Sequence, residues 1–466
     1  MKDNTQVFES YSVPRAVRTL ALPSMMGMLV NIVYNLADTF FVGQTGNANM
    51  VAAVSVTMPL FLLFIACGNL FGVGGCAFVS RSLGEGKTER VKTISSFCVY
   101  SAIGVGLVMT VLFLVFRKPV LYAVGASDTT FVYAADYLKY VAIGSPFIVS
   151  SVMLGNLVRG EGAAKVSMIG SIIGQVVNIV LDPIFILNKG DKLFGLTMPF
   201  GTGQGVAGAA IATVIGNVVS VVFFLIYFLR GKSILSISPG RYRVRGGIAR
   251  GVITVGLPAA INNLLMSISN ILINVFLQGY GDNAVAAMGI ALKVSMIAVL
   301  VLIGFAFGVQ PLVGYNYGAQ NYRRLRQVLR FSYQFTIGLG LVLTVIVFAA
   351  APLLIRLFMQ DGSVYDLGVA MLRRLLLGTA FYAFTLVTTC VFQATGKAVG
   401  AFVLSISGQG VIYGLVIWAL SSIWGYDGVI VTQPVADVLT CLLAVVLYFT
   451  SLHRVIRKGV AEQKQL

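Results

Sequence analysis

The segments LALPSMMGMLVNIVYNLADTF (residues 20–40) and VGLPAAINNLLMSISNILINVF (residues 255–276) are two copies of one pattern, and their kinship decides the architecture. Pro23 falls on Pro258. One residue is then dropped, after which the copies keep an offset of 234: Val51-Ala52-Ala53 on Val285-Ala286-Ala287, Gly84 on Gly318, Gly162 on Gly396 and Gly174-Gln175 on Gly408-Gln409. Residues 188–204 are an insertion in the first copy, and beyond it Gly205 falls on Gly425 at an offset of 220. Both copies are apolar over membrane-length stretches. The chain is therefore one helical bundle written twice, and paired bundles with a site between them are the usual build of a secondary transporter.

Composition agrees with a bilayer protein. The residues are 58% hydrophobic and 11% charged, with a mean hydropathy of +0.90, which no water-soluble domain of 466 residues sustains. Crossing a hydrocarbon core takes about 20 apolar residues. Such runs fall near 17–43, 50–80, 93–116, 130–158, 165–187, 205–229, 251–278, 284–313, 331–351, 365–394, 400–420 and 428–450. They predict an all-α polytopic membrane protein with twelve transmembrane helices in two pseudo-symmetric six-helix bundles. The N-lobe takes residues 1–230, a cytoplasmic linker 231–250 and the C-lobe 251–466. The first run is too long for a signal peptide and lacks a small-residue cleavage site, so it reads as a retained helix. Cys67, Cys76, Cys98, Cys390 and Cys441 lie singly in apolar segments, without the spacing of a disulfide framework or a metal site.

The net charge of +17 is no nucleic-acid signal, because the cations do not gather on one water-exposed face. They alternate between loops. The N-terminus, the even-numbered loops and the C-tail hold 24, against five on the other side: Arg117, Lys118, Lys189, Lys192 and Arg356. The positive-inside rule then puts both termini and the linker in the cytoplasm, with the lipid bilayer as partner. The remaining cations lie within spans. Lys139 and Arg373 are repeat equivalents near outer helix ends, with reach to snorkel; Arg374 adjoins the latter. Lys293, in the middle third of the eighth span, has no water within reach and is expected to face the bundle interior or a cavity, where it pairs with an acid or gates access.

An acid inside the hydrocarbon marks function by default, since it is costly unless protonated, paired or hydrated. Asn31, Tyr34 or Asn35, and Asp38 share a face of the first span; Gln175, Asn178 and Asp182 share a face of the fifth. Thr213 follows the Gly205-Val206-Ala207-Gly208 opening of the sixth. The second copy carries Val416 where the first has Asp182, and Ile273 beside Asn274 where the first has Asp38. The carboxylates thus belong to one half, which points to a single coupling-ion site there. Structural readings compete: Asp182-Pro183 also suits the cap or kink of a membrane helix, and Asp38 a hydrogen bond to a neighbouring helix. Asp437, after Gln433-Pro434 in the twelfth span, stands evenly between packing and function.

Enzyme motifs fail on context. Gly203-Gln204-Gly205-Val206-Ala207-Gly208 satisfies GxGxxG but opens a membrane helix with no strand before it. Gly279-Tyr280-Gly281-Asp282 resembles the GxGD of intramembrane aspartyl proteases but lies in a short outer loop. The one histidine, His453, is in the C-tail, which removes His-based metal sites and Ser-His chemistry together. No enzyme activity and no cofactor are expected.

Taken in order, several segments resemble the multidrug and toxic compound extrusion (MATE) family, closest to its MepA-like bacterial branch. They are Leu22-Pro23 with Asp38 and Val42-Gly43, Gly72-Val73-Gly74 to Gly84, Asn178-Ile179-Val180-Leu181-Asp182-Pro183, Gly205 to Thr213, and Gln393-Ala394-Thr395-Gly396. The resemblance covers nearly the whole chain. It implies a V-shaped pair of six-helix lobes that exports bulky organic cations in exchange for protons or sodium by alternating access. It also implies an N-lobe ion site, for a proton or a sodium ion, on Asp38, Asn178, Asp182 and Thr213, with Pro23 in the helix that bends. Some members use an acid in the seventh or tenth span; here the seventh has none and the tenth only Asp366 at its outer end. Substrate contacts are expected from Tyr34, Asn35, Met153, Asn263, Met266, Asn270 and Asn274, with interhelical hydrogen bonding the competing role of the seventh-span stripe. The protein is read as a monomer. A lipid-linked or endogenous metabolite exporter of the same superfamily is the alternative, although such flippases usually carry fourteen helices and a strongly cationic cavity.

Overall fold

The computed structural model describes residues 2–193, 196–358 and 362–465, and they are helical almost throughout. A short helix α1 (Lys2–Glu9) precedes α2 (Val13–Gly43), α3 (Ala48–Gly84) and α4 (Thr88–Val115). A helical turn α5 (Arg117–Ala123) leads to α6 (Asp128–Gly160), α7 (Ala164–Ile186) and α8 (Val206–Leu229). The second repeat runs α9 (Ile248–Gln278), α10 (Asp282–Gly318), α11 (Tyr322–Arg356), α12 (Gly362–Leu376) and α13 (Thr379–Ala394). It closes with α14 (Ala398–Ile406), α15 (Ile412–Trp424), α16 (Tyr426–Leu447) and α17 (Arg454–Gln465). A π-helical turn at Ser407–Val411 joins α14 to α15 as one span. Among the described residues eleven helical stretches are long and apolar enough to cross a membrane. The bent pair α12–α13, with a 46° break, supplies the twelfth. In the 188–204 insertion β1 (Lys192–Leu193) pairs antiparallel with β2 (Leu196–Thr197); residues 194–195 lie outside the described residues.

The duplication is visible in the backbone. Gly205 and Gly425 take the same corner, φ 55° with ψ −126° and φ 56° with ψ −126°. That region is closed to residues with a Cβ, so both copies need glycine to turn into the next helix. Cross-helix hydrogen bonds repeat as well. The Thr110 hydroxyl donates to the carbonyls of Gly106 and Ala142, and Thr344, 234 residues on, donates to those of Gly340 and Leu376. The left-handed residue that ends α3 is Gly86 (φ 73°), and its counterpart after α10 is Gln320 (φ 55°).

Packing divides the chain into two compact units. Unit 1 comprises Leu29–Val79 and Thr88–Gly256; unit 2 comprises Lys2–Met28, Ser80–Lys87 and the chain from Leu257 onward. The core of unit 1 is built on fully buried Phe64, Ile94, Leu138, Ile148 and Phe224, and that of unit 2 on Leu277, Met288, Ala291, Met371 and Leu372. Within unit 1 the 231–250 stretch is strapped down. Glu161, fully buried between α6 and α7, accepts from the hydroxyls of Tyr227 and Ser233 and from the Ile234 N–H. Ser96 and Tyr100 of α4 donate to the carbonyls of Ser236 and Ile237, and Arg241 pairs with Glu89. Within unit 2, Phe8 of α1 stacks on Tyr315 at 4.8 Å, and Arg324 donates to the Tyr11 carbonyl.

Candidate ion-coupling site

Small residues bring two helices of unit 1 close. α7 buries Gly170, Gly174, Asn178 and Asp182 at successive turns, and α8 buries Ala209, Ala212, Thr213, Gly216 and Ser220 against them. The Ser220 hydroxyl reaches the Gly170 carbonyl at 2.9 Å. Close approach of this kind is how small side chains pack membrane helices. It leaves the longer polar groups of the same faces meeting one another. Asn178 Nδ2 donates to Thr213 Oγ1 at 3.2 Å, and Tyr34 Oη of α2 lies 3.4 Å from the same Oγ1.

Around this junction stand oxygens without donors. Both carboxylate oxygens of Asp182, Oδ1 of Asn178 and Oδ1 of Asp38 are buried and accept no hydrogen bond. Asp182 is 0% exposed. Asp38 and Asp182 are near enough to repel, and the phenols of Tyr34 and Tyr137 lie within electrostatic range of both. Buried acceptors are nearly always satisfied in native structures, so a cluster of vacant ones is a place for a cation. All are hard oxygens, which suits a proton or an alkali cation; among the described residues no group of three or more His, Cys, Asp or Glu offers a transition-metal centre.

The four expected ion-site residues are thus brought together in unit 1, with Tyr34 among them. Tyr137, on α6, went unread, because nothing in Asp136-Tyr137-Leu138 separates a site-facing phenol from a core one. The remaining expectations fare differently. Asn35 is exposed and donates to Asn31 of its own helix. Met153 is fully buried in unit 1. On α9 in unit 2, Asn270 and Asn274 are exposed, Met266 is half-buried, and Asn263 donates to the Ala259 carbonyl. Pro23 lies inside α2, whose helix continues through it. Lys293 is exposed on α10 and pairs with no acid among the described residues. It stands between buried Ala291 and Val294.

Known proteins repeat this architecture. A family model described as MatE matches the chain twice, over residues 23–184 and 258–418. Multidrug export protein MepA of Staphylococcus saprophyticus is 30% identical over 450 residues, covering 96% of this chain and 96% of that protein. The protein of that name from Staphylococcus aureus strain MRSA252 is 30% identical over 451 residues with the same coverage. Among solved structures, an outward-facing multidrug resistance MATE family transporter of the MOP superfamily matches with a TM-score of 0.88 at 24% identity, over 100% of this chain and 99% of that one. A MOP superfamily transporter from Pyrococcus furiosus Vc1 matches with a TM-score of 0.86 at 25% identity, over 95% and 96%.

Proposed function

We propose, from the premise that this chain belongs to the MATE family of membrane transporters, that it is a secondary active antiporter exporting bulky organic cations in exchange for protons or sodium. The observation that carries the reading is the set of donor-free buried oxygens on Asp38, Asn178 and Asp182. A coupling cation entering there relieves the repulsion between two carboxylates, and Asn178, Thr213 and Tyr34 supply neutral oxygens around it. Neutralisation changes what the face of α2 must satisfy. Pro23 lacks an N–H and leaves one rung out of that helix's ladder, so α2 bends there at least cost. The ion therefore biases the equilibrium between two conformations of the transporter.

Substrate contacts are assigned to other residues: Asn35 beside the ion cluster, and Asn263, Met266, Asn270 and Asn274 on α9. These are neutral, adaptable groups, which suits a surface that takes many cations. The exposed Lys293 is assigned to gating, as a positive charge that a cationic substrate avoids. The test is transport in proteoliposomes, with a panel of organic cations and with pH and sodium gradients imposed separately. Export driven by one gradient and reduced roughly 10-fold or more by Asp182→Asn is the expected result, on the scale of a coupling energy between sites. Full gradient-driven export by both Asp38→Asn and Asp182→Asn overturns it.

A further inference from the structure

The internal repeat pairs Thr213 with Gln433, Asn217 with Asp437 and Gly144 with Gly378. In the first copy Asn217 is neutral and donates to the Thr213 carbonyl. In the second the chemistry is redistributed. Ile273, Ile412 and Val416 stand where Asp38, Asn178 and Asp182 stand in the first, and the one buried carboxylate of that copy among the described residues stands at the position of Asn217. Asp437 is 8% exposed and accepts a single hydrogen bond, from Gln433 Nε2 at 3.0 Å. No lysine or arginine pairs with it among the described residues; Arg374 of α12 is occupied by Asp427, about 15 Å along α16 at a helical rise of ~1.5 Å per residue. The titratable groups facing Asp437 are Tyr382 of α13, Tyr413 of α15 and Cys441 of its own helix.

What Asp437 touches is the break in the tenth span. A Cβ placed on Gly378 would lie 2.5 Å from its Oδ2 and 2.8 Å from the Pro434 Cα. Gly378 is the N-cap of α13, a 16-residue helix that no side chain caps. The free N–H groups of that first turn and the helix dipole favour an anion there. At the matching point of the first copy, Gly144 faces the side chain of Val214, and α6 runs on unbroken. The bend thus occurs in the copy that sets a carboxylate against the glycine.

We propose that Asp437 is a proton-binding site of the second repeat, separate from the Asp38 and Asp182 cluster, and that its charge holds the bend between α12 and α13. As a carboxylate it is held by the N-terminus of α13 and the Gln433 amide. On taking one proton from water it becomes a neutral acid, which a buried apolar site prefers, and the attraction to the helix terminus is lost.

Asp437→Asn is the variant of choice, because asparagine is what the first repeat carries at this place. Infrared difference spectra between low and high pH are recorded on full-length protein in lipid bilayers, in the background Asp38→Asn with Asp182→Asn. The expected result is that a component of the titrating protonated-carboxyl band present in this background is lost when Asp437→Asn is added. Spectra that the addition leaves unchanged, or no titrating band in the background, overturn the proposal. Amide exchange over residues 377–384 is the second readout. Protection, corrected for intrinsic rates, should fall several-fold on acidification in wild type and become pH-independent in Asp437→Asn; pH-independent protection in wild type shows a packing role only.

Discussion

Asp182 shows how much a single residue's role depends on its neighbours. Its helical spacing from Asn178 was legible because both lie on one face of an apolar run, and buried acids there are rare. That Tyr137 joins them was not, since α6 reaches the cluster only through tertiary packing. The burial of Met153 and the exposure of Lys293 were not legible either: span boundaries follow from hydropathy, but the rotation of a helix about its axis follows from its packing partners. Two predictions belong at this scale. Thr213→Val keeps the shape but removes the oxygen that Asn178 and Tyr34 share, so ion dependence should weaken about 3- to 10-fold, less than in Asp182→Asn, corresponding to one hydrogen bond of ~1 kcal/mol. Asn270→Leu and Asn274→Leu should change which cations are exported, measured across a substrate panel, and leave the pH or sodium dependence of residual export where it was. A shift in that dependence would assign α9 to the coupling site.

Among the elements, the membrane spans were readable from length and hydropathy. The strap on the 231–250 stretch was not. Glu161 sits in a short turn where an acid reads as solvated, yet it is fully buried, and burial pushes its carboxyl up from the usual range even though four donor contacts favour the charged form. A carboxyl raised on folding gives stability that is present below its unfolded value of 4.5 and is lost as pH rises through the raised value. Glu161→Gln should therefore flatten the pH dependence of thermal unfolding in that window while keeping an acceptor. Glu161→Ala removes the acceptor of the Ser233 hydroxyl and the Ile234 N–H, at a cost of about 1–3 kcal/mol. Trypsin should then cut faster at exposed Arg243 and Arg245. An unchanged cutting rate would mean that Ser96, Tyr100 and Arg241 hold the strap alone. The break at Gly378 was equally hidden, because Leu377-Gly378-Thr379 lacks the proline that usually announces a bend.

Across the whole molecule, the alternation of loop cations predicts that reporters fused near residues 10, 240 and 460 all lie in the cytoplasm; finding residue 240 outside would break the six-plus-six division. The duplication has a practical side too. Each half is a reference sequence for the other, and where twin positions share a backbone shape but differ in residue, one copy suggests an edit to the other. Gly86 and Gln320 are such a pair: both adopt the left-handed conformation, and only one is free of its steric penalty. The Gln320 carbonyl, not its side chain, receives the Gln463 amide of the C-terminal helix at 2.6 Å, so Gln320→Gly keeps that tie. The edit should raise the melting temperature of the purified transporter through relief of about 1 kcal/mol of backbone strain. The protein would then be easier to handle in detergent, with neither the proposed ion site nor the proposed substrate contacts touched.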